Sequence, residues 1–224
     1  MDRDTVTPPS SPIIFAGLFL ALVVPFLSYI RSSPILGDAK ILTRIEWGTL
    51  IHWLNLFALI YLVLRIERQP LSSIGVRPLR WWTIPAGVVF AVAVILTFPL
   101  ISMLNSFLGL VINQRYGAIL MALPFWVRML LVLTAGIFEE TLFRGYAIER
   151  ITYLTGSKWI AGFITLLAFT LAHTPAVGFT HLLPVFIVGA YMTALYLWRR
   201  DLGLNIVAHL VIDGAQLLLV PMFK

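Results

Sequence analysis

Apolar runs long enough to cross a bilayer recur from one end of this chain to the other, and no other feature restricts its fold as much. Residues 12–30, "PIIFAGLFLALVVPFLSYI", carry no charge at all. A run of about 20 apolar residues spans the hydrocarbon core as a helix, because a helix satisfies every backbone N–H and C=O within itself. Seven such segments can be drawn, over roughly 12–30, 45–64, 81–103, 124–148, 158–173, 181–198 and 203–220. The stretch 34–44 reads either as a short interfacial helix or as part of an eighth span. The runs are continuous and do not alternate, which argues against a membrane β-barrel. The fold class expected is all-α, a polytopic transmembrane helical bundle of about seven spans, or eight. Composition agrees: 60% of the 224 residues are hydrophobic and 12% are charged, about half the charge of a soluble domain.

The polar linkers carry the remaining information about topology. With the N-terminus inside, the inner loops hold Arg3, Arg65, Arg68, Arg77, Arg80, Arg150, Lys158, Arg199 and Arg200, and the outer loops hold Arg31, Lys40, Arg44, Arg115 and Lys224. Nine against five favours a cytoplasmic N-terminus under the positive-inside tendency. The net charge of +6 is therefore topology information and not a nucleic-acid footprint. The start "MDRDTVTPPSSP" has mixed charge and no small-residue cleavage pattern follows, so the first helix is expected to be retained. The chain has no cysteine, which excludes disulfides and thiolate metal sites. A compact chain of this kind suits a prokaryotic inner membrane.

Within the fourth apolar segment lies "GIFEETLFRG", residues 136–145. An acidic residue near mid-membrane costs on the order of 2.5–3.5 kcal/mol on insertion scales, so it is usually paired or functional. Glu140 and Arg144 stand four residues apart on one helical face, acid before base, the favourable order for an ion pair. Glu139 is rotated by about 100° from Glu140 and has no cation four residues away on either side. The helix is thus expected to carry one structural salt bridge and one further carboxylate. The bland alternative is that all three charges sit at the cytoplasmic end of the span and snorkel into water.

The histidines weigh against that alternative. His173 closes "LLAFTLAH" before Pro175, and His209 in "NIVAHLVIDGAQ" has Asp213 one turn further on. On antiparallel helices joined near Gly156, Glu139 and His173 lie at the same height by symmetry. His209 is about 13 Å past the turn near Arg200 and Glu139 about 25 Å from its own turn, at 1.5 Å per residue. The three levels coincide only if the 145–158 hairpin projects about two turns beyond the membrane surface. His52, in "LIHWLNLF", reads as a locally satisfied helix residue with Asn55 nearby. His181 reads as interfacial, with an accessory place at a cavity mouth left open.

These residues resemble a known family. "EETLFR" is similar to the E-E-x-x-x-R motif of the CPBP intramembrane proteases, which include the CAAX prenyl endopeptidases and bacteriocin-processing proteins. "FTLAH", Phe169 to His173, resembles the F-x-x-x-H motif, and "HLVID", His209 to Asp213, the H-x-x-x-N motif, with Asp where the family most often has Asn. The resemblance covers about residues 119–220, which divides the chain into N-terminal helices of unassigned role (1–118) and a CPBP-like catalytic helical core (119–224). It implies an intramembrane endopeptidase acting on a membrane-associated or lipidated protein or peptide. In this reading Glu139 and His173 activate water, His209 and Asp213 stabilise the oxyanion, and Glu140, Arg144 and Phe169 support the site. No cofactor is the preferred reading. The alternative is zinc held by Glu139, His173 and His209, a sufficient ligand set for a catalytic metal, although H-E-x-x-H is absent and the donors come from three helices. A transporter would be expected to show an inverted repeat and broken helices, and neither is legible. A partner-binding member of the family without catalysis is the remaining alternative. The substrate and the oligomeric state are not written in the sequence.

Overall fold

A computed structural model of the chain describes residues 9–32, 41–110 and 114–219, and every regular element among them is helical. The N-terminal eight residues, most of the 34–44 stretch and Lys224 lie outside the described residues. In chain order the longer helices among the described residues are α1 (11–32), α2 (41–66), α3 (Thr83–Ile95), α4 (Phe98–Phe107), α5 (Gln114–Ala122), α6 (125–155), α7 (Lys158–Ala172), α8 (Leu182–Arg199) and α9 (202–219), with single turns at Leu71–Ile74, Thr174–Val177 and Phe179–His181. Five stretches are long and apolar enough to cross a membrane: Ser11–Ser28, Ile45–Ile66, Thr83–Phe107, Phe179–Arg199 and Leu202–Leu219. They correspond to five of the seven expected spans. The other two, α6 with its charges and the 15-residue α7, are helical but fall short of that measure, so a count of seven is not established.

Turn chemistry sets where the last four helices reverse. Gly156 adopts the left-handed conformation (φ 72°) and closes α6, and Ser157 then caps α7 by accepting from the Ile160 N–H. This is the usual division of labour, glycine ending one helix and a hydroxyl starting the next. Arg200 takes a left-handed φ of 47° and Asp201 caps α9 through the Leu204 N–H.

Close approach of the helices is bought at a few glycines. A Cβ on Gly136 would stand 2.6 Å from Leu210 Cδ2, and one on Gly189 would stand 3.0 Å from Leu166 Cδ1. The first contact sets α6 against α9 one turn before Glu139 and next to His209; the second sets α8 against α7. A buried polar clamp ties the other end of the bundle. The Glu67 carboxylate accepts from Tyr146 Oη (2.7 Å) and from Arg150 Nη2 (2.6 Å), while Arg150 Nη2 also reaches Ser73 Oγ (3.0 Å). Nearby, the Leu202 N–H donates to the Gly75 carbonyl (2.9 Å) and Arg200 Nε to Glu149 (2.7 Å).

That last pair decides the question of levels. The α8–α9 turn sits beside Glu149, so the end of α6 beyond it, six residues to Thr155, reaches past the turn by about 9 Å. The α6–α7 hairpin thus extends beyond the α8–α9 turn, as a common height for Glu139, His173 and His209 requires.

Candidate active site

The region around Glu139 begins with a change in helical winding. α6 is an ordinary α-helix through Glu139 and then widens to a π-helical turn over Glu140–Ile148, with all nine residues buried. Wide turns are frequent at functional sites, although the same winding also occurs at Phe19–Val23, Leu62–Ile66 and Ala215–Leu219. Here the transition falls between the two adjacent glutamates.

Glu140 has no solvent exposure. Arg144 Nη1 donates to its Oε1 (3.0 Å), Asn205 Nδ2 donates to its Oε2 (3.1 Å), and His209 Nδ1 lies 2.7 Å from Oε1. The expected ion pair is therefore formed, but it does not stand alone. Glu140 is also the group that holds the His209 ring, so the structural pair and the site are one network. Asn205, one turn before His209, completes it by donating to the Met192 carbonyl as well (2.8 Å). Sequence reading missed Asn205. The signal was available: a buried Asn at i−4 from an intramembrane His, on the same helical face.

Arg144 is 1% exposed. Besides Glu140, its Nη2 donates to the Gly189 carbonyl (3.3 Å), and its guanidinium lies 4.1 Å from the centre of the Phe169 ring, a favourable cation–π placement. Phe169 also meets Phe143 edge-on (5.2 Å) and His173 (4.5 Å between ring centres). Its side chain packs, as expected, and its backbone adds something unforeseen. His173 Nδ1 lies 2.8 Å from the Phe169 carbonyl oxygen, which can only accept, so Nδ1 carries the hydrogen. That turns Nε2 towards Glu139.

The Glu139 carboxylate faces both imidazoles. Its Oε1 is 3.8 Å from His173 Nε2 and its Oε2 is 3.9 Å from His209 Nε2. His209 Nε2 is in turn 3.4 Å from Asp213 Oδ2. The structure thus gathers Glu139, His173, His209 and Asp213 from three helices, with Glu140, Arg144 and Phe169 behind them. His52 lies on the wall of the same cavity, with Nε2 2.7 Å from Ser28 Oγ and its ring stacked on Phe138 (4.4 Å). Its Ser28 partner comes from another helix, and the nearby Asn55 amide donates to the Leu20 carbonyl. His181 also lines the cavity. The cavity has a volume of about 500 Å³ and walls that are mostly apolar, including Phe98, Ile101, Leu131 and Val188. That is ample for a peptide segment's side chains.

A zinc ion requires three protein donors about 2.0–2.2 Å from one point. Among the described residues, no group of three or more His, Cys, Asp or Glu is arranged to hold a metal ion. His173 and His209 each have Nδ1 held by an oxygen and Nε2 turned to Glu139, an arrangement that suits an imidazole facing water and equally one facing a metal.

Fold and site together define a polytopic helical membrane protein with a carboxylate and two imidazoles converging at the head of an apolar cavity. Residues 121–215 match the family model described as type II CAAX prenyl endopeptidase, Rce1-like. The match, over less than half of the chain, is to the CPBP family and supports a peptidase, an intramembrane endopeptidase in general terms. No curated protein and no solved structure matches the chain.

Proposed function

We propose that the protein hydrolyses a peptide bond of a membrane-associated or lipidated protein or peptide without a metal, using Glu139 as general base. One observation carries the reading: the Glu139 carboxylate stands 3.8 Å and 3.9 Å from Nε2 of two histidines. These separations are too long for direct hydrogen bonds and suit a single bridging water. A water between Glu139 and His173 Nε2 meets two acceptors, which draw on both of its hydrogens and orient its lone pair towards the cavity. Its oxygen attacks the scissile carbonyl carbon as Glu139 takes a proton. The negative charge arriving on the carbonyl oxygen is met by Nε2–H of His209, which donates at Nδ1 to Glu140 as well and therefore acts as the imidazolium, with Asp213 beside it as second donor when protonated. As the C–N bond breaks, the proton held by Glu139 passes to the leaving amine. General-base assistance of this kind contributes about 10²–10⁴-fold, and one positioned oxyanion donor about 10²–10³-fold.

Glu140 supports this scheme by fixing His209. Held at Nδ1 by a carboxylate that is itself neutralised by Arg144, the ring keeps a defined orientation, the same logic by which a buried acid orients a catalytic imidazole elsewhere. The protein would work in a cell's inner membrane with its N-terminus in the cytoplasm, as the basic loops direct.

The test is Glu139→Gln in cells lacking the native gene, with membrane peptides profiled by mass spectrometry. Peptides that accumulate uncleaved in the deletion should be processed again with the native chain and not with Glu139→Gln. Complementation by Glu139→Gln would point to a non-catalytic, partner-binding role.

A further inference from the structure

Part of the cavity is lined by helices that lie outside residues 121–215. His52 of α2 and Phe98, Ile101 and Ser102 of α4 border the same space as Glu139 and the histidines. From Glu139 the cavity follows α6 back past Ala135 and Thr134 to Leu131, about 12 Å at 1.5 Å per residue. Along this path α2 grips α6 on two successive turns. The His52 ring lies 4.4 Å from that of Phe138, and the indole Nε1 of Trp53 donates to Thr134 Oγ1 at 3.1 Å.

Thr134 differs from other threonines of α6 and α7 in the use of its own hydrogen. Inside a helix, a threonine hydroxyl can donate back to the carbonyl four residues earlier. Thr141 does so to Ile137 (2.7 Å), Thr165 to Ala161 (2.9 Å) and Thr170 to Leu166 (2.8 Å). Thr134 does not: among the described residues the one hydrogen-bond partner of its hydroxyl is Trp53. An indole N–H can only donate, so Thr134 Oγ1 is the acceptor there and its hydrogen is left for another partner. The residue is 3% exposed and lines the cavity. Buried polar groups in folded proteins are nearly always partnered, and the cavity beside this one is where a substrate lies under the peptidase reading.

We infer that Thr134 binds the substrate backbone, donating its hydroxyl hydrogen to a peptide carbonyl about two residues from the scissile bond. The spacing comes from the helix. Thr134 precedes Glu139 by five residues, about 7.5 Å of rise, and an extended peptide advances about 3.3 Å per residue. Trp53 is the positioning residue, because its N–H holds the hydroxyl oxygen and leaves the hydrogen to the substrate. The N-terminal helices, whose role the sequence leaves unassigned, thereby take part in substrate binding through α2. The contact rests on the peptidase reading for its ligand, and it fixes the register of the peptide and not its side-chain preference, since every residue offers the same carbonyl.

The probe is the peptide that accumulates in cells lacking the gene, made synthetically and assayed with the purified full chain in detergent. Thr134→Val keeps the shape and removes the hydroxyl. Its KM should rise about 2- to 12-fold, the worth of one neutral hydrogen bond. Its kcat should stay within about twofold, because a contact away from the reacting bond serves ground and transition states alike. Thr134→Ser should restore KM. Trp53→Phe combined with Thr134→Val leaves no buried donor behind, so this double variant should fold and keep the raised KM; a native KM in it would make Thr134 only a partner for Trp53 and overturn the inference. The substrate supplies the second arm. Thioamides, whose sulfur is a poor acceptor, replace the peptide carbonyls one at a time. At the carbonyl that Thr134 serves, the exchange should raise KM for the native chain and for Thr134→Ser but not for Thr134→Val. Equal sensitivity of the native chain and Thr134→Val at every carbonyl overturns the inference. Glu139→Gln is assayed alongside: cleavage by it defeats the peptidase reading, whereas a native KM for Thr134→Val beside an inactive Glu139→Gln defeats this inference alone.

Discussion

Glu140→Gln is the substitution whose consequences the structure specifies most fully. The side chain keeps its size and loses its charge in a place with no access to solvent. Three donors converge on the present carboxylate: Arg144 at 3.0 Å, Asn205 at 3.1 Å and His209 Nδ1 at 2.7 Å. A glutamine offers one oxygen and one NH₂ to those three donors, so at least one donor–donor contact is forced and the Arg144 charge is left without a counter-ion. Removing one partner of a buried pair costs about 3–5 kcal/mol, or about two to three and a half powers of ten in the folded ratio. Against a total stability of roughly 5–15 kcal/mol, that is a large share. Purified in detergent, the variant should show a sharply lowered yield and melting temperature. The fraction that folds should also cleave more slowly, since His209 loses its carboxylate. Arg144→Ala should lower stability comparably, leaving a buried anion in place of a buried cation. If Glu140→Gln matched the native protein in yield, melting temperature and turnover, the network argument would be refuted. If Arg144→Ala folded normally and abolished turnover alone, its structural role would be wrong.

The other predictions concern the same site from different directions. Gly136→Ala places a methyl 2.6 Å from Leu210 Cδ2, and overpacking of this kind costs about 1–3 kcal/mol. Because the displaced contact adjoins His209, cleavage should fall more than the melting temperature; a loss in stability alone would detach helix spacing from chemistry. Asp213→Asn supplies a permanent NH₂ donor 3.4 Å from His209 Nε2 in place of a carboxylate. Activity should survive this change if position 213 serves the oxyanion, and should vanish if an ionised Asp213 is what orients His209. Elemental analysis of purified, active protein should find no stoichiometric zinc, and chelation should leave cleavage intact. Zinc at one equivalent whose removal stops cleavage would replace the proposed mechanism.

Much of the architecture was legible without coordinates because a bilayer leaves a chain few options. Apolar runs without alternation must be helices, and the loop residues Gly156, Ser157 and Asp201 mark where those helices end or begin. The contents of the site were legible for a related reason: Glu139, His173, His209 and Asp213 are costly inside an apolar bundle unless they meet. What the sequence could not show was who holds whom. Glu140 read as one half of a self-contained pair with Arg144, since spacing along one helix exposes only partners on that helix. Its bond to His209, 69 residues away, the role of Asn205, and the hold of the Phe169 carbonyl on His173 depend on how α6, α7 and α9 pack. The π-helical turn after Glu139 was equally invisible, because an altered winding changes no residue and adds no periodic signal. The direction of the cavity followed from packing too, since an empty volume belongs to the gaps between helices and to none of the segments that surround it.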